Sequence, residues 1–382
     1  MSTHDFKFYP ETVVWEITFA CNMRCVHCGT SAGKRRDDEL TTGEAVRLID
    51  ELTTLGCKSI TLSGGEPLLR ADWPFLAARM RENGLTTYLI SNGYALTEAV
   101  ADQFLDLGIK RVGISIDGTE PIHNRIRCRP DSFARCLRAL DTLTHKGVES
   151  CVVTQVNGWN LDSLDDLHAL LIDHGCKGWR IQMCTVTGRM LEHSDMALTL
   201  PDYERLVDKL LALRKVGRIY IDVGENIGYY GCKGSELIDE NPYFGCYAGL
   251  RVAGIESNGN VKGCLSMPPQ FVEGNIRDSS FTEIWNRPEG FAYNRQFTKD
   301  TASGACHDCR YLPLCRGGCT TTSVSQTGHR ADNPYCMYQI EKARGIAPKD
   351  SENTIALLRR FNPEALEVVA VPDTADQAWT GA

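Results

Sequence analysis

Between Thr12 and about Gly217 the chain repeats one pattern: a short apolar run rich in β-branched residues, then an amphipathic stretch with helical spacing. Val13–Phe19, Ser59–Leu62, Thr87–Ile90, Arg111–Ile116, Cys151–Val156 and Gly178–Met183 read as six strands. Thr42–Leu55, Trp73–Asn83, Thr97–Leu107, Ser132–His145 and Leu161–His174 read as the helices between them. Thr41 and Glu44 form a capping-box pair at the start of the first helix, and Gly56 marks its stop. Strict βα alternation implies an α/β fold with a parallel sheet and right-handed crossovers. Six units make a partial (β/α)6 barrel, with chemistry at the C-terminal ends of its strands. The chain has 382 residues, too many for one small core. It divides into an extension (1–11), the barrel (12–217), a cysteine-rich α+β domain (218–344) and a C-terminal helix and tail (345–382).

The strand ends carry the unusual residues. The first strand runs into Cys21-Asn22-Met23-Arg24-Cys25-Val26-His27-Cys28. Three thiols spaced CX3CX2C can close on three corners of a four-iron cluster and leave the fourth iron open. The second ends in Ser63-Gly64-Gly65-Glu66-Pro67, where glycine lets backbone approach a ligand and Glu66 offers a carboxylate to a cation. The third ends in Ser91-Asn92-Gly93 and the fourth in Ser115-Ile116-Asp117-Gly118. Singly, such clusters are ordinary turns; three in register with a cysteine triad point to a site.

These residues resemble the radical SAM enzymes over about Val13 to Gly188. The resemblance implies that Cys21, Cys25 and Cys28 hold a [4Fe–4S] cluster whose open iron chelates S-adenosylmethionine. By position, Gly64, Gly65, Glu66 and Pro67 would meet the methionine amine, and His27 the adenine. Ser91 and Asn92 would lie near the ribose, and Ser115 and Arg127 near the carboxylate. Thr154 and Gln182, ending the fifth and sixth strands, would line the cofactor or the substrate. Cys184 follows, where it can face the cavity.

Beyond Gly217 cysteine spacing takes over. Cys246 and Cys264 are followed by Cys306-X2-Cys309-X5-Cys315-X3-Cys319 and Cys336. Taken alone, such pairs can hold zinc. Beside the triad, they resemble the SPASM extension of radical SAM enzymes, which carries two auxiliary [4Fe–4S] clusters. That resemblance assigns Cys306, Cys309, Cys315 and Cys336 to an outer cluster and Cys246, Cys264 and Cys319 to an inner one. Cys232 is the candidate for the inner cluster's missing ligand; the alternative is an open inner iron. Three clusters in all are expected.

The resemblance implies reductive cleavage of S-adenosylmethionine to a 5′-deoxyadenosyl radical that abstracts a C–H hydrogen. The leading substrate is a ribosomally made peptide or protein side chain. The alternatives are tetrapyrrole or other small-molecule modification, and an iron–sulfur carrier or scaffold without catalysis. Leu265 stands where sulfatase maturases place an Asp after the cysteine, which weakens a formylglycine-forming reading. A flavodoxin or ferredoxin is the expected reductant. With about twenty residues before the triad, any leader-peptide recognition domain is expected to be a separate protein. A net charge of -8 without a basic patch argues against nucleic acid. No apolar run reaches the ~20 residues needed to cross a bilayer, and no signal peptide is evident, so a cytoplasmic enzyme is expected.

Overall fold

In a computed structural model, which describes residues 8–238 and 243–360, hydrogen bonds join the six expected strands side by side in sequence order. They are β1 (Thr12–Thr18), β2 (Ser59–Gly64), β3 (Thr86–Ser91), β4 (Arg111–Ser115), β5 (Ser150–Val156) and β6 (Gly178–Met183). Every pairing among them is parallel. The helices are α1 (Thr42–Thr54), α2 (Trp73–Glu82), α3 (Glu98–Leu107), α4 (Glu120–Arg127), α5 (Ser132–Lys146), α6 (Leu164–Asp173) and α7 (Leu200–Val216). Both halves of the Thr41/Glu44 capping box are formed at α1. The sequence reading missed α4, a two-turn helix with Pro at its start and Cys128 in a left-handed conformation at its end.

The sheet does not stop at β6. Past Gly217, β7 (Tyr220–Val223) adds in parallel to β6. Further on, after α8 (Cys232–Leu237), β8 (Val252–Ile255) adds in parallel to the other edge, on β1. β9 (Asn260–Lys262) and β10 (Gly274–Asn275) then turn back antiparallel, giving ten strands in the order 10-9-8-1-2-3-4-5-6-7. The cysteine-rich half is therefore hydrogen-bonded directly to the strand that leads into the triad. Its seam is polar and buried: Glu16, 1% exposed, accepts from the Ser257 amide and hydroxyl and pairs with Arg36. One core spans both halves, from Val13 and Trp15 through Leu89 and Trp179 to Phe281 and Trp285. Phe281 and Trp285, on α9 (Phe281–Trp285), stack within it.

Within the C-terminal segment 345–382, the expected helix runs from Glu352 to Arg360, and residues beyond 360 lie outside the described residues. Among the described residues no helix is long and apolar enough to cross a membrane.

Candidate functional site

The triad loop is fixed at both ends and in the middle. The Cys21 amide donates to Gly33, and Arg189 donates to the carbonyls of Cys25 and Ala32. The Val26 amide bonds Ile126 of α4, so the missed helix forms one wall of the site. The close approach that the glycines permit is to the chain itself. A Cβ on Gly65 would stand 2.2 Å from the Ala20 carbonyl, and Gly64, at φ +147°, would meet Thr18 at 2.4 Å. The Gly65 and Glu66 amides bond those same carbonyls. The Gly-Gly pair thus presses Glu66 against the cysteine loop.

Glu66 is wholly buried. It accepts from the Ser91 hydroxyl at 2.9 Å, the Asn92 amide at 2.8 Å and the Leu68 amide at 3.3 Å. Pro67 opens the short turn that Glu66 caps. Among the described residues no cation is ion-paired with Glu66, and burial lifts its carboxyl to about 7. A buried carboxylate held by neutral donors is completed by an ammonium. Ser91 and Asn92, expected near a ribose, spend these donors on Glu66, and the Asn92 side chain bonds Asn22 in the triad loop.

Asp117 is the second hub, and the sequence reading quoted it without giving it a role. It is fully buried and accepts from Arg127 Nε at 2.6 Å and from the Gln155 amide, with His27 Nε2 at 3.1 Å. Burial alone would raise its carboxyl, but Arg127 and then His27 hold it well below the usual carboxylate range. Arg127 Nη1 reaches Cys25 Sγ at 3.8 Å, and the Asp117 amide donates to His123 Nδ1. Burial, then the nearby Arg127 charge, pushes His123 down to about 3, so it stays neutral. Ser115 ends β4 half-buried, its carbonyl accepting the Cys136 thiol.

Two expectations about neighbouring strands need correcting. Thr154 lines nothing: it is 0% exposed, its hydroxyl donating to Ile116 and accepting from Trp179. Side chains alternate along a strand, and it is the next residue, Gln155, whose side chain meets Gln182 at 2.7 Å. Cys184 does not face a cavity but packs with Ile126, Met190 and Met196, where burial pushes its thiol far up.

The remaining cysteines fall into two groups. Cys306, Cys309, Cys315 and Cys336 line one cavity, walled by Tyr229, Tyr230, Tyr311 and Tyr338. Cys246, Cys264 and Cys319 form the other: burial, reinforced by Cys246, raises Cys264 to about 11 and Cys319 to about 12. Tyr229 lies between the groups, its hydroxyl bonded by the Cys319 amide and Asn333. Cys232 does not join the inner group. Glu341 takes the amide at the start of α8, and the Cys232 thiol turns to the carbonyl of Ala347.

The donor set fits iron–sulfur clusters. Burial and mutual repulsion push Cys21 to about 11 and Cys336 to about 12, so these thiols do not ionise unless a cation displaces the proton. Among the described residues no three His, Cys, Asp or Glu are set to hold a single metal ion. A cuboidal cluster takes its thiolates at separate corners.

The radical SAM superfamily model matches residues 15–171, and the SPASM iron–sulfur cluster-binding domain matches residues 246–310. An AdoMet-dependent heme synthase of Oleidesulfovibrio alaskensis is 31% identical over 86% of this chain and 88% of its own. The mycofactocin maturase MftC of Mycolicibacterium smegmatis is 30% identical over 95% of this chain and 92% of its own. Among solved structures, Streptococcus suis SuiB bound to the precursor peptide SuiA shares the fold, with TM-score 0.69 and 16% identity over 86% of this chain and 76% of that one.

Proposed function

The chain belongs to the radical SAM superfamily and is an enzyme of iron–sulfur and S-adenosylmethionine chemistry, and from that premise we propose that it modifies a ribosomally made peptide or protein side chain. The observation that carries this reading is the similarity to the mycofactocin maturase, which extends over nearly the whole chain and so takes in every cysteine group.

When bound at the triad, a [4Fe–4S] cluster with S-adenosylmethionine supplies a 5′-deoxyadenosyl radical able to take hydrogen from an unactivated C–H bond. The residues do the rest. Cys21, Cys25 and Cys28 are the cluster ligands. Glu66 receives the methionine amine, and Ser91 and Asn92 keep its carboxylate aimed and dry. His27, oriented by Asp117, borders the adenine. Arg127 and Ser115 serve the carboxylate end, and the Gln155–Gln182 pair floors the space where substrate must lie within contact of the radical.

The outer group holds a second cluster on Cys306, Cys309, Cys315 and Cys336. The inner group holds a third on Cys246, Cys264 and Cys319, without Cys232. A flavodoxin or ferredoxin supplies the electron, a separate protein presents the peptide leader, and the enzyme works in the cytoplasm.

A specific observation favours a second reading: the heme synthases match at 30–31% identity, so a tetrapyrrole is the alternative substrate. Anaerobic incubation with dithionite and S-adenosylmethionine separates the two. A candidate precursor peptide encoded beside the gene should gain a mass change coupled to 5′-deoxyadenosine formation. An unchanged peptide together with turnover of an iron porphyrin with propionate side chains would overturn the peptide reading.

A further inference from the structure

Around the inner cysteine group the structure assembles hydrogen-bond donors that have no acceptor in the protein. Arg316 is 6% exposed; its Nη2 donates to the Cys246 carbonyl at 2.8 Å, yet its Nε is buried without a partner. Arg330 lays its guanidinium over the Phe297 ring and gives Nη2 to Asn294, while its Nε and Nη1 are buried without a partner. The Tyr293 hydroxyl is buried and unbonded as well. Its position is fixed by the adjacent chain, since a Cβ on Gly263, the neighbour of Cys264, would stand 2.0 Å from that oxygen. Asn294, which receives Arg330, also donates to the carbonyls of Cys246 and Ala248. All three donor side chains therefore converge on the Cys246–Cys264 side of the group.

Among the described residues neither arginine has a carboxylate partner. Glu225, the acid that acts on Cys264, is committed to Arg180, and Glu273, which acts on Tyr293, also faces Arg295 and Arg287. Two guanidinium groups removed from water with unspent N–H groups and no counterion are costly unless an anion meets them. A four-iron cluster on Cys246, Cys264 and Cys319 is anionic, and its sulfides accept hydrogen bonds; such bonds and the surrounding charge set its reduction potential.

We propose that Arg316, Arg330 and Tyr293 form a donor cradle for the sulfur face of the inner cluster and hold its reduction potential above that of the cluster on the triad. This rests on the reading that Cys246, Cys264 and Cys319 carry a cluster. The three are positioning and tuning residues, and none needs to touch substrate.

The test uses the full-length chain with Cys21, Cys25 and Cys28 changed to Ala, so that only auxiliary clusters remain. Iron content and electron paramagnetic resonance are followed during a redox titration, and a Cys264→Ser companion identifies the inner signal. Arg330→Gln and Tyr293→Phe, the second keeping the ring in its packing, should each retain iron and shift only the inner midpoint downward. At a fixed potential the reduced-to-oxidised ratio should fall about tenfold for Arg330→Gln, which is 59 mV for one electron, and less for Tyr293→Phe. Arg330→Lys should recover most of the loss, because it restores charge but not the fork of donors. An unmoved inner midpoint with full iron, or equal shifts in both clusters, would overturn the cradle while leaving the cluster assignment intact. Iron for only one auxiliary cluster in the parent would overturn the assignment itself.

Discussion

Beside Cys25 the guanidinium of Arg127 is clamped by the buried carboxylate of Asp117, and Glu66 adds a second buried carboxylate close by. Beside Cys246 the guanidinium groups of Arg316 and Arg330 have no carboxylate to clamp them. The same ligand chemistry is set in opposite fields. At an effective dielectric constant of about 20, a unit charge ~4 Å away is worth ~4 kcal/mol. Adding an electron is harder where carboxylates dominate and easier where unpaired cations do. On the reading proposed above, the triad serves as the electron donor and the inner group as its receiver, and the difference lies in neighbours rather than in ligands.

The largest expected effect removes one side of the contrast. Changing Cys21, Cys25 and Cys28 to Ala should abolish 5′-deoxyadenosine formation and lower iron by about four atoms per chain; chemical iron assay and product chromatography read both. A loss of more than that would mean the groups do not load independently. Next comes converting the triad's field into the other kind. Asp117→Asn leaves Arg127 buried without its counterion, which should cost about 3–5 kcal/mol of stability and raise the triad cluster's potential. Thermal melting and a redox titration check the two halves, and an unchanged potential would break the comparison.

Glu66 gives a smaller, pH-dependent effect. Burial raises its carboxyl to about 7, so protons compete with the ligand's ammonium below that pH. Affinity for S-adenosylmethionine should therefore rise about fivefold from pH 6 to pH 7, then level off by about pH 8, where free α-amino groups lose their proton. Calorimetry should also show proton release on binding at pH 6.5. Glu66→Gln should bind more weakly and show neither dependence. The smallest effect is expected from Cys232→Ala: iron content and auxiliary spectra should match the parent, and loss of a cluster would restore this cysteine as a ligand.

Much of this was legible in the chain. The strands and most helices follow from short-range periodicity, which local physics enforces, whereas the division of the cysteines into two groups came from the resemblance to the SPASM extension. What escaped was set at long range or by parity. Thr154 and Gln155 are adjacent in sequence, but the pleat sends one into the core and the other into the site, and strand-end position alone does not say which. α4 is short and rich in charge, so it lacks the apolar stripe that betrays a helix, although it carries His123 and Arg127. Cys232 has a plausible place in the cysteine series; only the bond from its amide to Glu341, over a hundred residues on, turns it away. Arg316 and Arg330 carry no sequence signal of their own; only their buried, unspent donors single them out.

The pairing of Thr12–Trp15 with Val252–Ile255 bears on how such a molecule can be assembled and taken apart. A chain cut after residue 217 would leave β1 with one row of amides and carbonyls unpaired and β6 without its neighbour, two bare edges on a sheet with apolar side chains above and below. Such a fragment would seek strands from other copies of itself rather than stand alone. The cysteine-rich half is thus not a pendant that a barrel can acquire or lose freely. It seals an edge the barrel would otherwise have to protect by other means.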